Sequence, residues 1–255
     1  MKIEHTEIYG FRAAFRGMRN PMDSWADSDS AFLKFFDTQG FVPIWMDICG
    51  NEVTDTTAKV RAGCGQAGAE AVRVVGMGHP IARECPRIGP KDMELARKLI
   101  RRGGDHRKFL RYIVVWCDFV LPRYVWQEVD TYKIGTVRNS CSTMNTLGKR
   151  HLVQEDFENP LPQLFLDELN RAVDDFREAD GAKARRAERV TMKDLLPEGF
   201  LQRATYLLNY EVGFRMFGSR HKHRLPMWRE GCEGSICEWI KSWPFMGHFI
   251  EAGRR

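Results

Sequence analysis

Apolar and polar positions change their period several times along this 255-residue chain, and each change marks an element. Ile3 to Tyr9 reads as a short strand. "FRAAFRGMRNPMDSW" follows as a basic, partly apolar segment broken at Pro21. Between residues 26 and 90 no single period holds for long, and glycine recurs at 40, 50, 63, 65, 68, 76, 78 and 89. That punctuation predicts short strands and turns, so the stretch reads as an insertion.

Regularity returns at "PKDMELARKLIRRGG". Pro90 suits a first helical turn, Met93, Leu95, Ala96, Leu99 and Ile100 form an apolar side, and Gly103 and Gly104 end the helix. "YIVVWCDFVLP" reads as a buried strand stopped by Pro122. The stretch "WQEVDTYKIGTVRNSCSTM", residues 126 to 144, comes directly after it and is dense in hydroxyls, amides, acids and cations. Such a density suits either a binding surface or a well-bonded turn and helix start. A long helix or helix pair spans about 161 to 190, with a polar interruption near "EADGAKARRAER".

"LLPEGFLQRATYLLNYEVGFRMFGSRHKH" predicts a further helix. On it Tyr206, Asn209, Gly213, Met216 or Phe217, and Arg220 follow at three- and four-residue steps along one face. From Asn209 to Arg220 a helix turns by about 1100° and advances roughly 16 Å. That face would suit an elongated ligand whose anionic end meets Arg220. Equally, it could be an amide bonded inside the core and an arginine paired with an acid. The last helix, "SICEWIKSWPFMGHFIEA", is kinked or broken at Pro244.

Composition trims the function classes. With 43% hydrophobic and 29% charged residues, the chain suits one soluble domain carrying an elaborate insertion. Its net charge of +5 is spread among acids, so a nucleic-acid groove is not indicated. No run approaches the ~18 apolar residues of a membrane span, and "MKIEHTEIYG" lacks a signal-peptide core, so a cytoplasmic protein is expected. Cys49, Cys64, Cys85, Cys117, Cys141, Cys232 and Cys237 are expected as free thiols. "HKHR" before Cys232 and Cys237 raises a zinc site, but His221 and His223 point apart on a helix and the cysteines form no close pair. No metal is expected. "VVGMGHP" lacks the lysine of a phosphate loop, and Pro80 spoils the helix start of a dinucleotide fold.

Several segments carry a common pattern. "KDLLP" precedes "NYEVGFRMFGSR", with Pro197 and Asn209 twelve positions apart and Asn209 and Arg220 eleven. Upstream, "DMELARKLIRRGGDHRKFLRY" leads into the strand ending at Pro122, and "GMRNPMDS" offers Arg19 and Ser24. Together these resemble the flavin-dependent thymidylate synthases (ThyX). That family carries Arg-x-x-Leu-Pro, then an asparagine, then an arginine in a Leu-Arg pair. Lys193 stands where the family has the first arginine, and His106 stands for the first histidine of its Gly-His-x-Ser-Pro-Phe-Glu-His segment. The family's Arg-His-Arg and Ser-x-Arg-Tyr signature is not retained. Ungapped counting from His106 puts Thr131, Tyr132 and Lys133 on Arg-His-Arg. One residue earlier, the register aligns Gln127 with the family's glutamine and Ser140 with its second serine. Lys133, Arg138, Asn139, Ser140 and Ser142 keep cationic and hydroxyl chemistry in another order, and residues 26–90 have no counterpart.

The resemblance implies an α/β (α+β) fold, with a central, mostly antiparallel sheet flanked by long helices. One domain would span 1–255, with 26–90 as a family-atypical, glycine-rich insertion. It implies C5-methylation of a pyrimidine deoxynucleotide, dUMP to dTMP, using FAD, with NADPH and methylenetetrahydrofolate as co-substrates. No side chain would attack the base. His106, Tyr132, Lys133 and Asn209 would hold FAD, weakly for want of the paired arginines. Lys193, Arg220, Arg138, Ser140, Ser142 and Gln127 would hold the nucleotide, in composite sites of a homotetramer that include the 105–145 region. The alternative is a non-catalytic nucleotide-binding protein on the same fold, with the insertion serving a partner.

Overall fold

In the computed structural model, which describes residues 1–36, 42–47, 49 and 85–254, the chain opens with strand β1 (Lys2–Tyr9). Gly10 then adopts φ 103, and a Cβ there would collide with the Tyr112 carbonyl, so only glycine makes the turn into helix α1 (Phe11–Arg19). Pro21 sits in a 3-10 turn directly after α1. Short strands β2 (Ala31–Phe36), β3 (Val42–Met46) and β4 (Cys85–Arg87) follow, then helix α2 (Pro90–Arg101) with its proline in the first turn. Next come β5 (Val114–Pro122), α3 (Arg123–Val129), β6 (Val137–Ser140) and α4 (Thr143–Thr146). The expected helix pair is α5 (Gln163–Glu178) and α6 (Gly181–Leu195). Strand β7 (Leu201–Asn209) and helices α7 (Tyr210–Arg220), α8 (Ile236–Lys241) and α9 (Met246–Arg254) complete the chain, with Pro244 between the last two.

The architecture mixes helices with antiparallel sheet. One sheet has the order β1-β5-β7-β6 and the other β3-β2-β4. In the smaller sheet both partners run antiparallel to β2, with Phe32 opposite Met46 and Ala31 opposite Arg87. Residues 50–84, which hold most of the glycines of the expected insertion together with "VVGMGHP", Cys64 and His79, lie outside the described residues.

The long helix expected from Leu195 to His223 is corrected by this structure. Residues 201–209 form a strand, with Ala204, Tyr206 and Leu208 buried and Arg203 and Thr205 exposed. That is a period of two, and β-branched and aromatic residues favour it. Only α7 is helical. Asn209, in extended backbone at φ −126, caps the helix by accepting from the Val212 N–H at 3.0 Å. Tyr206 and Asn209 therefore share no helical face with Arg220.

Contacts divide the chain into two compact units, residues 1–6 with 117–206 and residues 7–116 with 207–255, and β1, β5 and β7 contribute to both. In the first unit Leu166, Leu169, Ala172 and Val173 of α5 pack with Met192, Leu196, Leu147, Leu152 and Phe157. Their spacing is the apolar stripe of an amphipathic helix, and each leucine buried contributes about 1.5–3 kcal/mol. Phe119, Trp126 and Tyr206 form a second cluster, with ring centroids 5.8–5.9 Å apart. On the sheet, Asp118 accepts from Thr205 Oγ1 at 2.6 Å and pairs with His5 Nδ1 at 2.9 Å.

The second unit is aromatic at its centre. Phe11 meets Tyr210 edge-on, Phe109 meets Phe15 and Phe249, and Tyr210 donates to the Pro244 carbonyl at 3.1 Å. Gly213 lies against Trp243, where any Cβ would strike the indole. A buried polar network stands beside this core. Asp92, fully buried on α2, accepts from Arg19 Nε at 2.5 Å, Ser28 Oγ at 2.6 Å and Ser30 Oγ at 2.5 Å. Arg19 also donates to the carbonyls of Ser24 and Asp27. Asp29 accepts the Lys91 and Asp92 N–H groups and so caps α2 from a neighbouring segment.

Two outcomes follow from these carboxylates. Asp92→Ala leaves the Arg19 guanidinium buried without its counter-charge, so it should lose about 3–5 kcal/mol of stability in urea unfolding. A loss under ~1 kcal/mol would show that water or a rearranged loop replaces the carboxylate. For Asp118, the Thr205 hydroxyl and then His5 outweigh burial and hold its carboxyl below the usual range. A depressed folded pKa contributes stability that is present above pH ~4 and is lost as pH falls through the folded value. Thr205→Val should raise the Asp118 midpoint read by NMR and shrink the stability that is lost between pH ~4 and that midpoint.

Candidate functional site

The polar stretch after β5 builds a layered surface in the first unit. Pro122 ends the strand with its backbone extended, and α3 starts at once, so Trp126 turns into the core while Gln127 stays exposed. Trp126 Nε1 donates to the Gln202 carbonyl at 2.9 Å. Over its ring, at 3.9 Å from the centroid, stands the Arg138 guanidinium. Arg138 Nη1 donates to Asp130 at 2.7 Å and Nη2 to Gln202 Oε1 at 2.8 Å, while its Nε is buried without a partner among the described residues. Gln202 Nε2 in turn donates to the Cys141 carbonyl at 2.7 Å. Arg138 is thus held on one face by the Trp126 ring and along its edge by Asp130 and Gln202.

Exposed groups flank this fixed arginine in the sequence. Lys133 stands in the turn before β6, next to Ile134, which is 84% exposed. Ser140 ends β6 and Ser142 precedes α4, both exposed. Lys193, near the end of α6, extends its Nζ to Met144 Sδ at 3.4 Å. Two segments about fifty residues apart in sequence therefore meet, one bringing hydroxyls and the other an ammonium. Gln127 Nε2 donates to Glu198 at 3.0 Å, at the start of the chain leading into β7. Tyr132 is half-buried and its carbonyl accepts from Thr136.

His106, Asn209 and Arg220 belong to the second unit. His106 is exposed, and its backbone N–H donates to the Gly103 carbonyl. Its neighbour Arg107 makes a two-pronged bond to the buried Glu211, at 2.9 and 3.0 Å, and lies over Phe214 at 4.7 Å. That pair fixes the 103–111 loop against the first turn of α7, which Asn209 caps. Asn209 uses its Oδ1 for the cap, which leaves its Nδ2 to donate elsewhere. Arg220 lies at the other end of the helix, bonded to His223 Nε2 at 3.0 Å and over Trp228 at 5.3 Å. Arg19 and Ser24, picked out by resemblance, belong to the buried Asp92 network.

Trp126, Asp130, Gln202 and the Arg107–Glu211 pair were not singled out in the sequence. Trp126 and Gln202 could have been found only by reading 201–209 as a strand beside the polar stretch. Cys49, Cys117, Cys141, Cys232 and Cys237 are free, and burial pushes the Cys237 thiol up to about 12. Among the described residues no three His, Cys, Asp or Glu side chains gather as a metal-binding group, and no helix is long and apolar enough to cross a membrane.

The sequence matches no protein-family model and no curated protein. The fold does have counterparts among solved structures. A flavin-dependent thymidylate synthase ThyX from Helicobacter pylori, complexed with FAD and dUMP, shares 12% identity over 98% of this chain and 97% of its own, with a TM-score of 0.54. A second structure of Thymidylate Synthase X from Helicobacter pylori, with FAD and dUMP, covers both chains completely at 12% identity and a TM-score of 0.55. At that identity the likeness is one of fold: the chain has a ThyX-like fold.

Proposed function

We propose that this protein is a flavin-dependent enzyme that methylates C5 of a pyrimidine deoxynucleotide, of the dUMP-to-dTMP type. The observation that carries the reading is the meeting of Lys193 with the segment of Ser140, Ser142 and Met144. Both segments were picked out by their resemblance to phosphate-holding parts of the ThyX family, and the neighbours of like fold bind FAD and dUMP. Lys193, Ser140 and Ser142 supply one positive charge and two hydroxyl donors to a phosphate. Arg138, with both Nη groups engaged, acts in this reading as the rigid support that sets β6 and adds field, while Gln127 offers an amide to the base. The resemblance also assigns Arg220, in the second unit, to the nucleotide.

For the cofactor, the donor set fits a flavin dinucleotide. Lys133 and His106 are exposed, Asn209 has an uncommitted amide, and Tyr132 offers a ring. Bound FAD would supply the hydride, with NADPH as reductant and methylenetetrahydrofolate as carbon donor. This chain's residues hold, orient and polarise, and none is a nucleophile. The proposal includes a single domain with residues 26–90 as an insertion, and a cytoplasmic homotetramer.

Absorbance of the freshly purified protein, with fluorescence titration of added FAD, tests the reading. FAD should bind, more tightly with dUMP present, and Lys133→Ala should weaken it. Lys193→Ala should lower dUMP affinity by about 1.5–3 kcal/mol, the loss of one charge-assisted contact. No FAD binding at about a hundred micromolar, with dUMP still bound, would leave the non-catalytic nucleotide-binding alternative in front. For assembly, light scattering should give four chains of 29.5 kDa, and a monomer at micromolar concentration would rule out a composite site.

A further inference from the structure

The end of α7, the loop after it and the C-terminal helix α9 enclose an open cleft of about 660 Å³, lined by His221, Lys222, Arg229, Glu230 and Arg254. Its volume falls within the range of small-molecule sites, but its lining is charged where most such sites are apolar. Three fixed cations face one carboxylate, and that carboxylate is already occupied. Glu230 accepts from Lys241 Nζ at 2.9 Å and from Arg254 Nη2 at 2.8 Å. Burial pushes the Glu230 carboxyl up, yet these two donors outweigh it and hold the group below the usual range.

The cations are placed in different ways. Arg254 lies over the Phe217 ring at 5.3 Å, and His221 stacks on that ring at 5.6 Å with a 7° tilt. His221 Nδ1 sits 3.1 Å from the carbonyls of Phe217 and Gly218, which only accept, so Nδ1 carries the proton and Nε2 is left to accept from a ligand's hydroxyl. Among the described residues Arg229 spends only its Nε, on Cys232 Sγ at 3.5 Å, and keeps both Nη groups. Lys222 is exposed, with no hydrogen-bond or ion-pair partner among the described residues. Like charges gathered around a concavity raise each other's energy, and a bound anion relieves that cost.

We propose that this cleft binds a small polyphosphorylated anion through Lys222, Arg229 and Arg254, with His221 forming its wall. A phosphate ester brings about −1.5 to −2 charges per group, against −1 for a carboxylate, and so matches the charges of Lys222 and Arg229 with fewer atoms. The guanidinium of Arg229 adds a planar fork that fits two phosphate oxygens, and Lys222 adds a point charge. The inference stands apart from the pyrimidine-nucleotide reading, since it uses none of Lys193, Arg138, Ser140 or Ser142.

Isothermal titration of the full chain with inorganic pyrophosphate at low ionic strength, with citrate in parallel, tests it. The paired variant Lys222→Ala, Arg229→Ala should lose ~tenfold or more in pyrophosphate affinity, and citrate should bind wild type more weakly than pyrophosphate. The loss caused by Lys222→Ala, Arg229→Ala should also appear in a Lys193→Ala background, which separates this cleft from the nucleotide proposal. A paired Lys222→Gln, Arg229→Gln variant, checked for its unfolding transition, guards against misfolding of the alanine pair. Equal affinity in wild type and both folded pairs, or no binding at millimolar pyrophosphate, overturns the site. No further loss when the Lys222, Arg229 pair is replaced in the Lys193→Ala background also overturns it, and tighter citrate overturns the phosphate assignment.

Discussion

A carboxylate removed from water must be surrounded by donors, and Asp92 is removed completely. Its donors come from Arg19 at the end of α1 and from Ser28 and Ser30 in the loop that follows. Each of these pieces is short, polar and a poor candidate for order by itself. Bonded to one anion, they hold the end of α1, the loop and the start of α2 in a single arrangement. The same arrangement delivers Asp29 to the open N–H groups of α2 and starts β2 at Ala31, opposite Arg87. Strand pairing in the smaller sheet begins where this network ends. The network therefore bears on more than one salt bridge: it brackets the two ends of the segment that contains residues 50–84.

Elements whose signal was local were legible in the sequence. Pro90 and Gly103 bracket α2, Pro122 closes β5, and Pro244 separates α8 from α9, because each residue limits its own backbone whatever surrounds it. The α5–α6 pair was legible through a stripe of leucines. Residues 195–220 were not, because Leu207 and Leu208 blur the alternation, and Tyr206, Asn209, Gly213 and Arg220 happen to fit helical spacing. The strand wins by tertiary context: Ala204, Tyr206 and Leu208 find a core on one side only, and β7 lies between β5 and β6. Asn209 then changes meaning, from a group on a binding face to the residue that stops a strand and starts a helix.

The candidate site was legible as composition but not as arrangement. Lys133, Arg138, Ser140 and Ser142 were visible as a polar cluster, and Lys193 as a cation before "LLP". Which of them are tied and which are exposed depends on Trp126, Asp130 and Gln202. Gln202 belongs to the strand misread as helix, so the Arg138 environment was hidden with it. Buried contacts of this kind join residues more than sixty positions apart, and no local period reports them.

The division of labour between Arg138 and the lysines has a chemical consequence. Arg138 has its fork filled by Asp130 and Gln202 and its face filled by Trp126, so its charge is fixed in place and largely offset by the acid. Lys133 and Lys193 carry compact charges on flexible stems, and neither is neutralised by a carboxylate among the described residues. An anion on this surface would meet rotatable point charges and hydroxyls backed by a rigid layer, instead of a preset bidentate clamp. Rotatable donors lose side-chain entropy on binding, about 0.5–1.5 kcal/mol for each side chain immobilised. Recognition built this way is weaker per contact and less demanding of geometry than an arginine pair. At 12% identity the likeness to the ThyX structures is one of fold. The exposed lysines, not the fixed Arg138, would then decide how firmly an anion on this surface is held.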